Sequence, residues 1–426
     1  MRYVLAVLVI FMVVASGCIA GGGNGTSTIP QNSSSETFTP PMTGNDVLKE
    51  GQEKAVVEGL NAFTFDLYRE LSADGGNVFF SPYSVEVALA MAYEGANGST
   101  REEMERVLHL PGDDEARWTG FRYLILSLNP SNGPYVLSTA NALWVQKGYP
   151  VNERYLWIIR EFYLGDVRNV DFVRDPDGAA EEINSWAEER TRGRIKDLIQ
   201  KGVLNEYTRL VITNAIYFRA NWSRRFDPGD TANESFTLAS GEKVIAPMMH
   251  QRGTFNYTEN DELQALEMPY EGGRLSMLII LPRDNSPTGI EGKLTPEFIR
   301  ELRESMKPEL VDVTVPKFRF EASYSLKKPL IDMGMGEAFS GGANFSGITD
   351  AERLFISDVI HKTFISVAEN GTEAAAATAV IITAASAPGE EPEYKVFKAD
   401  HPFLFLIVDR ETGAVLFMGR LMDPRG

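Results

Sequence analysis

The sequence predicts an α+β fold, in which most helices precede most strands along the chain. Helical patterns dominate as far as Gly193, and strand-like apolar runs become frequent from Leu210 onward. A regular alternation of strands and helices, which is typical of parallel α/β folds, is absent. Residues 46–426 contain neither an internal repeat nor a second linker, so we expect one large domain.

Composition excludes several classes of protein. The 426 residues include 59 acidic and 41 basic ones, for a formal charge of −18. An acidic chain without a cluster of Lys and Arg is poorly suited to nucleic acid, whose phosphates require positive charge. The single cysteine, Cys18, excludes an internal disulfide and thiolate zinc clusters. Hydrophobic and charged contents of 43% and 23% are typical of a folded soluble body.

The first half of the body shows clear helical signals. Apolar residues that recur every three or four positions predict a first helix, and they are Val56, Leu60, Phe63, Leu67 and Leu71. Ser81 is a predicted N-cap for a second helix, with Pro82 in its first turn. Thr100 and Glu103 have the spacing of a capping box, which predicts that a third helix begins there. Further helices are predicted around 152–163 and 178–192.

The second half contains runs rich in β-branched and aromatic residues. We predict strands at Leu210–Phe218, Leu275–Leu281, Val311–Val315, Phe355–Ala368 and Phe403–Val408. Several of these runs are apolar at consecutive positions, which indicates strands covered on both faces.

The N-terminus reads as a targeting segment. Twelve uncharged, mostly apolar residues, Val4–Ala15, follow a basic residue and precede small ones, so we predict a signal peptide over residues 1–18. The run is too short to span a bilayer as a permanent helix. Ala15–Cys18 resembles the lipobox of prokaryotic lipoproteins, which makes Cys18 a candidate for lipid attachment. The alternative is ordinary cleavage near Gly17, with no role for the cysteine.

Residues 19–45 are predicted to form a flexible linker. They are rich in Gly, Ser, Thr, Asn and Pro and contain too few apolar residues to fold. Together with the signal peptide, this linker predicts a domain that is secreted or lipid-anchored outside the cytoplasmic membrane.

No catalytic signature is present. The chain has four histidines and lacks the HExxH, GxSxG and GK[ST] patterns of zinc proteases, α/β-hydrolases and phosphate-binding loops. We therefore expect neither a metal nor another cofactor. Catalysis by paired carboxylates needs no local spacing, so the motif search leaves it open.

One segment is unusual because it carries no charge and no turn residue. From Ala374 to Ala387 it lacks Gly, Pro, Asn and Asp, and the simplest interpretation is a buried strand or an Ala-rich helix. Read as a strand, one face comprises Thr372, Ala374, Ala376, Thr378, Val380 and Ile382, and the other begins with Glu373, Ala375 and Ala377. The side chains of the first face are small at the start, so this strand could slide between two others.

Residues 359–378 resemble the hinge of an inhibitory serpin. Four further stretches resemble serpin motifs in the right order, and they are Asn77–Ser84, Thr213–Trp222, Val315–Lys317 and Phe397–Ile407. The resemblance extends over residues 50–423. It implies the serpin fold, with three β-sheets, eight or nine helices and an exposed reactive-centre loop.

The resemblance implies a protease inhibitor rather than an enzyme. Inhibitory serpins are cleaved by a serine protease and trap its acyl-enzyme by inserting the cut loop into the main sheet. The usual seventeen residues counted from Glu369 place the reactive bond at Ala385–Ser386. Because residues 386–399 form a longer stretch than is common, Ala384–Ala385 and Ser386–Ala387 remain alternatives. Small residues around this bond favour elastase-like or subtilisin-like proteases.

The resemblance also implies roles for individual residues. The hinge comprises Glu369, Gly371, Thr372, Glu373, Ala374, Ala375, Ala376, Ala377 and Thr378. The breach, where insertion begins, comprises Trp222, Lys317 and Glu369. The shutter, a polar cluster beneath the centre of the sheet, comprises Ser81, Ser84, Asn214 and His361.

Further expectations concern partners. We expect a monomer that forms a covalent acyl complex with its protease and is not activated by heparin, because Thr100–Trp118 is acidic. A non-inhibitory serpin, acting as a carrier or folding helper, is the main alternative, although the small residues Ala374–Ala377 favour an inhibitor. A hydrolase on another fold is a third interpretation.

Overall fold

The first apolar stripe of the sequence forms the buried face of helix α1, Lys54–Ser72, where Val56, Leu60 and Phe63 are buried. The computed structural model describes residues 4–14, 51–129, 133–193, 195–372 and 392–426. The other α-helices in these ranges are α2 (Pro82–Tyr93), α3 (Gly98–Leu108), α4 (Asp114–Leu128), α5 (Glu153–Glu161), α6 (Pro176–Arg190), α7 (Thr288–Glu291), α8 (Pro296–Ser305) and α9 (Lys327–Asp332). Helices α5 and α6 match the two that were predicted around 152–163 and 178–192. No helix in the described ranges is both long and apolar enough to cross a membrane.

Most strands lie in the second half of the body, as predicted. They are β1 (Val4–Val14), β2 (Val78–Phe80), β3 (Tyr135–Gln146), β4 (Gly165–Val170), β5 (Thr208–Asn221), β6 (Ala232–Thr237), β7 (Lys243–Glu259), β8 (Leu263–Pro269), β9 (Leu275–Pro282), β10 (Lys307–Pro316), β11 (Phe318–Ser325), β12 (Leu354–Ala368), β13 (Gly371–Thr372), β14 (Lys395–Lys398), β15 (Phe403–Asp409) and β16 (Val415–Leu421). The five predicted strands correspond to β5, β9, β10, β12 and β15.

The main sheet has seven strands in six lateral positions, because two of the strands lie end to end in one position. Its lateral order is β11, β12, the central position, β5, β3 and β4, where the central position denotes the strand position between β5 and β12. Strands β1 and β13 occupy this position end to end, and each is antiparallel to both neighbours. Strands β5 and β12 therefore run in the same direction, and both pair with the strands in the central position.

The remaining nine strands form a second hydrogen-bonded network. Its order is β14, β10, β7, β8, β9, β15, β16 and β2, with β6 on β7. Strand β7 is 17 residues long, and only its last four residues pair with β8. Because β6 and β10 pair with the rest of β7, this strand joins a sheet of β6, β7, β10 and β14 to one built on β8, β9, β15, β16 and β2. The second and third predicted sheets are thus continuous through β7.

Helix α2 lies between the two networks and is buried on every side. All of its residues are buried, and it packs against β1 and β5 on one side and β16 on the other. A helix without a solvent face is expected to be apolar all round, as this one largely is. The Ser81 hydroxyl accepts a hydrogen bond from the Ser84 amide at 3.1 Å, which confirms the predicted N-cap.

The predicted capping box at Thr100 and Glu103 is wrong. Helix α3 begins two residues earlier, at Gly98, and Asn97 at its N-cap makes no side-chain cap. The Thr100 hydroxyl instead accepts from the Asn344 amide at 2.9 Å, and Glu103 accepts from the Glu337 amide at 2.8 Å. Both side chains satisfy distant backbone donors, so tertiary contacts have displaced the local motif.

Strand β1 belongs to the segment predicted to be a signal peptide. Instead of standing apart from the body, Val4–Val14 lies in the central position of the main sheet. Ile10 and Met12 are fully buried in the main core. An apolar run of this length satisfies its backbone by pairing on both sides. The signal peptide over residues 1–18 stays a prediction.

Candidate functional site

The chain enters the central position through a tight reversal at the end of β12. Val367 pairs with Thr372 and Ala368 with Gly371, so Glu369 and Asn370 form the turn. On its other side, β13 pairs with the last two residues of β5. The predicted hinge therefore begins as a strand already held between β5 and β12.

Gly371 is the residue at which this reversal requires glycine. Its φ is +139°, and a Cβ atom would lie 2.2 Å from the Ala220 carbonyl oxygen and 2.5 Å from the Asn221 Cα. The neighbouring backbone cannot yield at such distances, so any side chain would push β13 away from β5.

Glu369 anchors the turn at the end of the main sheet where β5 and β12 finish, which we call the top of the sheet. Its Oε1 accepts hydrogen bonds from Lys317 Nζ at 2.8 Å and from the Thr231 hydroxyl at 3.1 Å. Its backbone carbonyl accepts from the Phe226 amide at 2.9 Å. Burial would raise the pKa of Glu369, but the hydrogen bond and charge of Lys317, helped by Thr231, outweigh burial and lower it. The carboxylate is therefore ionised and held in place at neutral pH.

Trp222 and Tyr270 form the wall against which the hinge packs. The Trp222 indole donates to the Ala368 carbonyl at 3.0 Å and stacks on Tyr270 with a centroid distance of 4.6 Å. The Tyr270 hydroxyl lies 2.7 Å from the Thr372 hydroxyl, which is fully buried. Burial raises the pKa of Tyr270, so its hydroxyl stays neutral as a hydrogen-bonding partner. Thr372 points inward, in agreement with the predicted alternation.

The four predicted shutter residues lie together beneath the main sheet, and all are fully buried. The Ser81 amide donates to His361 Nε2 at 3.0 Å, and its hydroxyl donates to the Leu416 carbonyl at 2.7 Å. The Ser84 hydroxyl donates to Asn214 Oδ1. This cluster connects α2 to β5 and β12, the two strands that flank the central position.

The cluster continues further than the sequence indicated. Asn214 Nδ2 donates to Asn141 Oδ1 at 2.6 Å, and Asn141 Nδ2 donates to the Tyr163 carbonyl at 2.7 Å. The Tyr163 hydroxyl donates to Glu94 at 2.8 Å. Side-chain hydrogen bonds therefore run from beneath β12, across β5 and β3, to the buried ion pair of Glu94 and Arg117.

Some predicted residues fall outside the described ranges. These are Cys18, Glu373, Ala374, Ala375, Ala376, Ala377, Thr378, Ala385 and Ser386. Sequence reasoning missed Thr231, Tyr270 and Asn141, which lie far along the chain from their partners and belong to no local motif. Within the ranges that the structure covers, no group of three acidic, His or Cys side chains could hold a metal ion.

Comparisons with known proteins agree on one family. A family model described as Serpin (serine protease inhibitor) matches residues 58–424. An uncharacterized serpin-like protein of Thermococcus kodakarensis is 57% identical over 429 residues, with 100% of both chains covered. The leukocyte elastase inhibitor of Bos taurus is 39% identical over 376 residues, which cover 85% of this chain and 97% of that protein.

Solved structures agree as well. A loop-inserted structure of a cleaved ovalbumin mutant has a TM-score of 0.78 and 31% identity, and covers 87% of this chain and 100% of its own. Uncleaved ovalbumin has a TM-score of 0.76 at 31% identity, with the same coverage.

We expect the Lys317→Met variant to show how much the anchor at Glu369 contributes. At pH 7 the free energy of unfolding should fall by about 1–2 kcal/mol, because a hydrogen bond to a charged group is lost. The folded-state pKa of Glu369 is lowered, so the contribution is complete above the unfolded-state value of about 4.3 and disappears as pH falls through the folded-state pKa. Urea unfolding between pH 7 and pH 3 measures the difference.

The matched control is Lys196→Met, which removes an exposed lysine paired with Glu188 at 3.3 Å. Its effect should stay within about 0.5 kcal/mol at every pH. A difference between parent and Lys317→Met that does not change with pH would contradict the assignment.

The polar connection between Asn214 and Asn141 predicts strong coupling. Asn214→Leu should cost about 2–4 kcal/mol of stability, since Asn141 Oδ1 and the Ser84 hydroxyl lose the amide that pairs with them in a buried site. Adding Asn141→Leu should cost much less than its own single effect, because both ends of one hydrogen bond are then apolar. A double-mutant cycle by chemical denaturation measures this coupling, and strict additivity would refute it.

Proposed function

Since this chain belongs to the serpin family, we propose that it inhibits serine endopeptidases as a suicide substrate. The observation that carries the proposal is β13, which begins a strand between β5 and β12 at the start of the predicted loop. A loop tethered there, once cut, can extend the same strand. The described ranges also place an 11-residue strand in the rest of the central position, so this position accepts a full strand.

The covalent step balances without a cofactor. The protease serine Oγ attacks the carbonyl carbon of Ala385, and the bond to the Ser386 nitrogen breaks. The proton of the serine passes through the protease's base to the new amino terminus at Ser386. The protease is then esterified to Ala385, at the free end of a loop whose other end is anchored at Glu369.

Insertion releases enough free energy to stop the reaction there. About a dozen inserted residues form about two dozen backbone hydrogen bonds, each worth about 0.5–1.5 kcal/mol, for a total on the order of 10–30 kcal/mol. Moving catalytic groups by about 1 Å costs about a hundredfold in rate. The free energy of insertion is therefore large enough to move the acylated protease along the sheet and to halt deacylation.

The residues around the proposed bond suggest the target class. They are small and uncharged, and no Lys or Arg occurs in the loop before Lys395. Elastase-like and subtilisin-like proteases accept such residues, whereas trypsin-like proteases require a basic one. The leukocyte elastase inhibitor of Bos taurus, a relative, is named for an elastase.

We propose in addition that the domain acts outside the cell as a monomer. The signal peptide and linker support export, and Cys18 is the candidate for lipid attachment. Mass spectrometry of the mature N-terminus tests this, because an acylated Cys18 has a mass that plain cleavage near Gly17 cannot produce.

Mixing the exported, processed protein with subtilisin or elastase tests the inhibitory function. We expect an SDS-resistant complex at near-equimolar ratio, together with a cleaved fragment that begins at Ser386 or one residue to either side. Cleavage without complex formation would favour the carrier or folding-helper alternative. Hydrolysis of peptide substrates by the protein alone would favour an enzyme.

The sharpest test of the hinge is Thr372→Arg. Its side chain is fully buried against Tyr270, so an arginine would put an unpaired charge into the sheet at a cost of several kcal/mol. The arginine should therefore leave the sheet in the uncut protein, and insertion has to bring it back at that cost. Insertion should slow by on the order of a hundredfold, while cleavage at Ala385–Ser386 is unaffected. The variant should therefore be cleaved as a substrate, with a stoichiometry of inhibition far above that of the parent.

Glu373→Arg is the matched control, because the sequence places residue 373 on the opposite face of the same strand. It should remain an inhibitor in the same titration of subtilisin activity. The hinge assignment is falsified if Thr372→Arg inhibits as well as the parent, or if both variants lose trapping equally.

A further inference from the structure

The N-terminal strand β1 pairs along its length with both strands that flank the central position. Leu5 to Val14 pair with β12, and Val4 to Val13 pair with β5. A strand hydrogen-bonded on both edges leaves no free edge between β5 and β12 over this stretch. No second strand can occupy the same stretch at the same time.

Strand β1 continues the register of β13. Thr372 lies opposite Val367 of β12 and Ala220 of β5. Six residues further along a continuous strand, Thr378 would face the residues six positions back on each neighbour, His361 and Asn214. Leu8 of β1 is paired with those same two residues. Both β1 and β13 are antiparallel to their neighbours, so the N-terminal segment runs in the direction that the inserted loop would take.

The buried faces coincide as well. Ile10 and Met12 are fully buried in the core against which the main sheet packs. The same offset of 370 residues, from Leu8 to Thr378, brings Val380 to the place of Ile10 on both neighbours and Ile382 to that of Met12 on β5. On the β12 side, a bulge at Met12 shifts the pairing by one residue. The sequence assigns Val380 and Ile382 to the inward face of the loop. The two segments therefore match in direction and facing, and they match in register apart from this bulge.

We propose that Val4–Val14 and the reactive-centre loop compete for the central position, so that a chain retaining its N-terminal segment there is cleaved by proteases but does not trap them. Removal of the segment then frees the sheet for insertion. This inference rests on the proposed inhibitory function and adds a regulatory step to it. Its chemical basis is that an uncharged apolar segment and a mostly small, uncharged loop satisfy the same two strand edges.

The test compares the unprocessed full chain with a variant of the same length. Ile10→Asp with Met12→Asp puts two carboxylates into fully buried places, which should expel β1. Thr28→Asp with Ser34→Asp adds the same charge within the linker and serves as the control. Against subtilisin, we expect the stoichiometry of inhibition of parent and control to exceed that of the Ile10/Met12 variant by about tenfold or more.

A synthetic peptide with the sequence of residues 4–14 adds a second arm. Added to the Ile10/Met12 variant before subtilisin, it should restore substrate behaviour. A full chain that traps subtilisin as well as this variant would overturn the competition while leaving the inhibitory function intact. If neither protein traps, and the processed protein also fails to trap, the proposed function itself fails.

Disulfide formation tests the register of β1 against β12 independently of inhibitory activity. Ile10 pairs with Val359, so Ile10→Cys with Val359→Cys should form a disulfide in a Cys18→Ser background. Ile10→Cys with Ile365→Cys is the control and should not, because Ile365 lies six positions along β12, about 20 Å away. Non-reducing gels and peptide mapping give the result. Absence of the first disulfide, or equal formation of both, would refute the placement on which the competition rests.

Discussion

The structure depends on two strands, β5 and β12, whose facing edges both pair with one strand that lies between them. Strands β5 and β12 run in the same direction through the middle of the main sheet, and each presents a hydrogen-bonding edge to the central position. Unpaired backbone groups in such a place are costly. The sheet is therefore stable when the position is filled or when the two strands close upon each other. The predicted hinge, breach and shutter residues that the structure describes all lie around this position.

The side chains around this position divide the task between its end and its middle. At the top, Glu369, Trp222 and Tyr270 hold the turn that starts the incoming strand, through one ion pair and a stack of rings. Beneath the middle, Ser84 and Asn214 connect the buried helix α2 to β5 through a chain of hydrogen bonds. A polar network in a dry core is stable only when every member is paired. Separating β5 from β12 therefore acts on the hydrogen bonds of Ser84 with Asn214 and of the Ser81 amide with His361, which connect the two strands to α2.

Local patterns predicted the elements well and the long-range contacts poorly. The stripe of α1, the cap of α2 and the apolar runs of β5 and β12 are periodic signals within a few residues. The period-two pattern also placed Thr372 on the inward face. By contrast, the contacts of Tyr270 with Thr372 and of Thr231 with Glu369 join residues 102 and 138 positions apart. Thr100 shows the opposite error. It fits a local capping box, but its hydroxyl instead accepts a hydrogen bond from the distant Asn344 amide. For β1, composition favoured a targeting role, which stays a prediction, and contained no information on where the segment packs.

Because Trp222 stacks on Tyr270 at the hinge, its intrinsic fluorescence can report on the state of the hinge. Of the five tryptophans in the sequence, Trp222 alone contacts the backbone of the turn at Glu369 and Asn370 in the described part of the chain. The other four form two separate pairs, Trp118 with Trp157 and Trp144 with Trp186. An indole whose N–H is bonded to a strand carbonyl changes its emission when that bond breaks or its surroundings become wet. Time-resolved fluorescence of Trp222, with the other indoles replaced by phenylalanine, would thus follow the top of the sheet through each encounter without an attached dye.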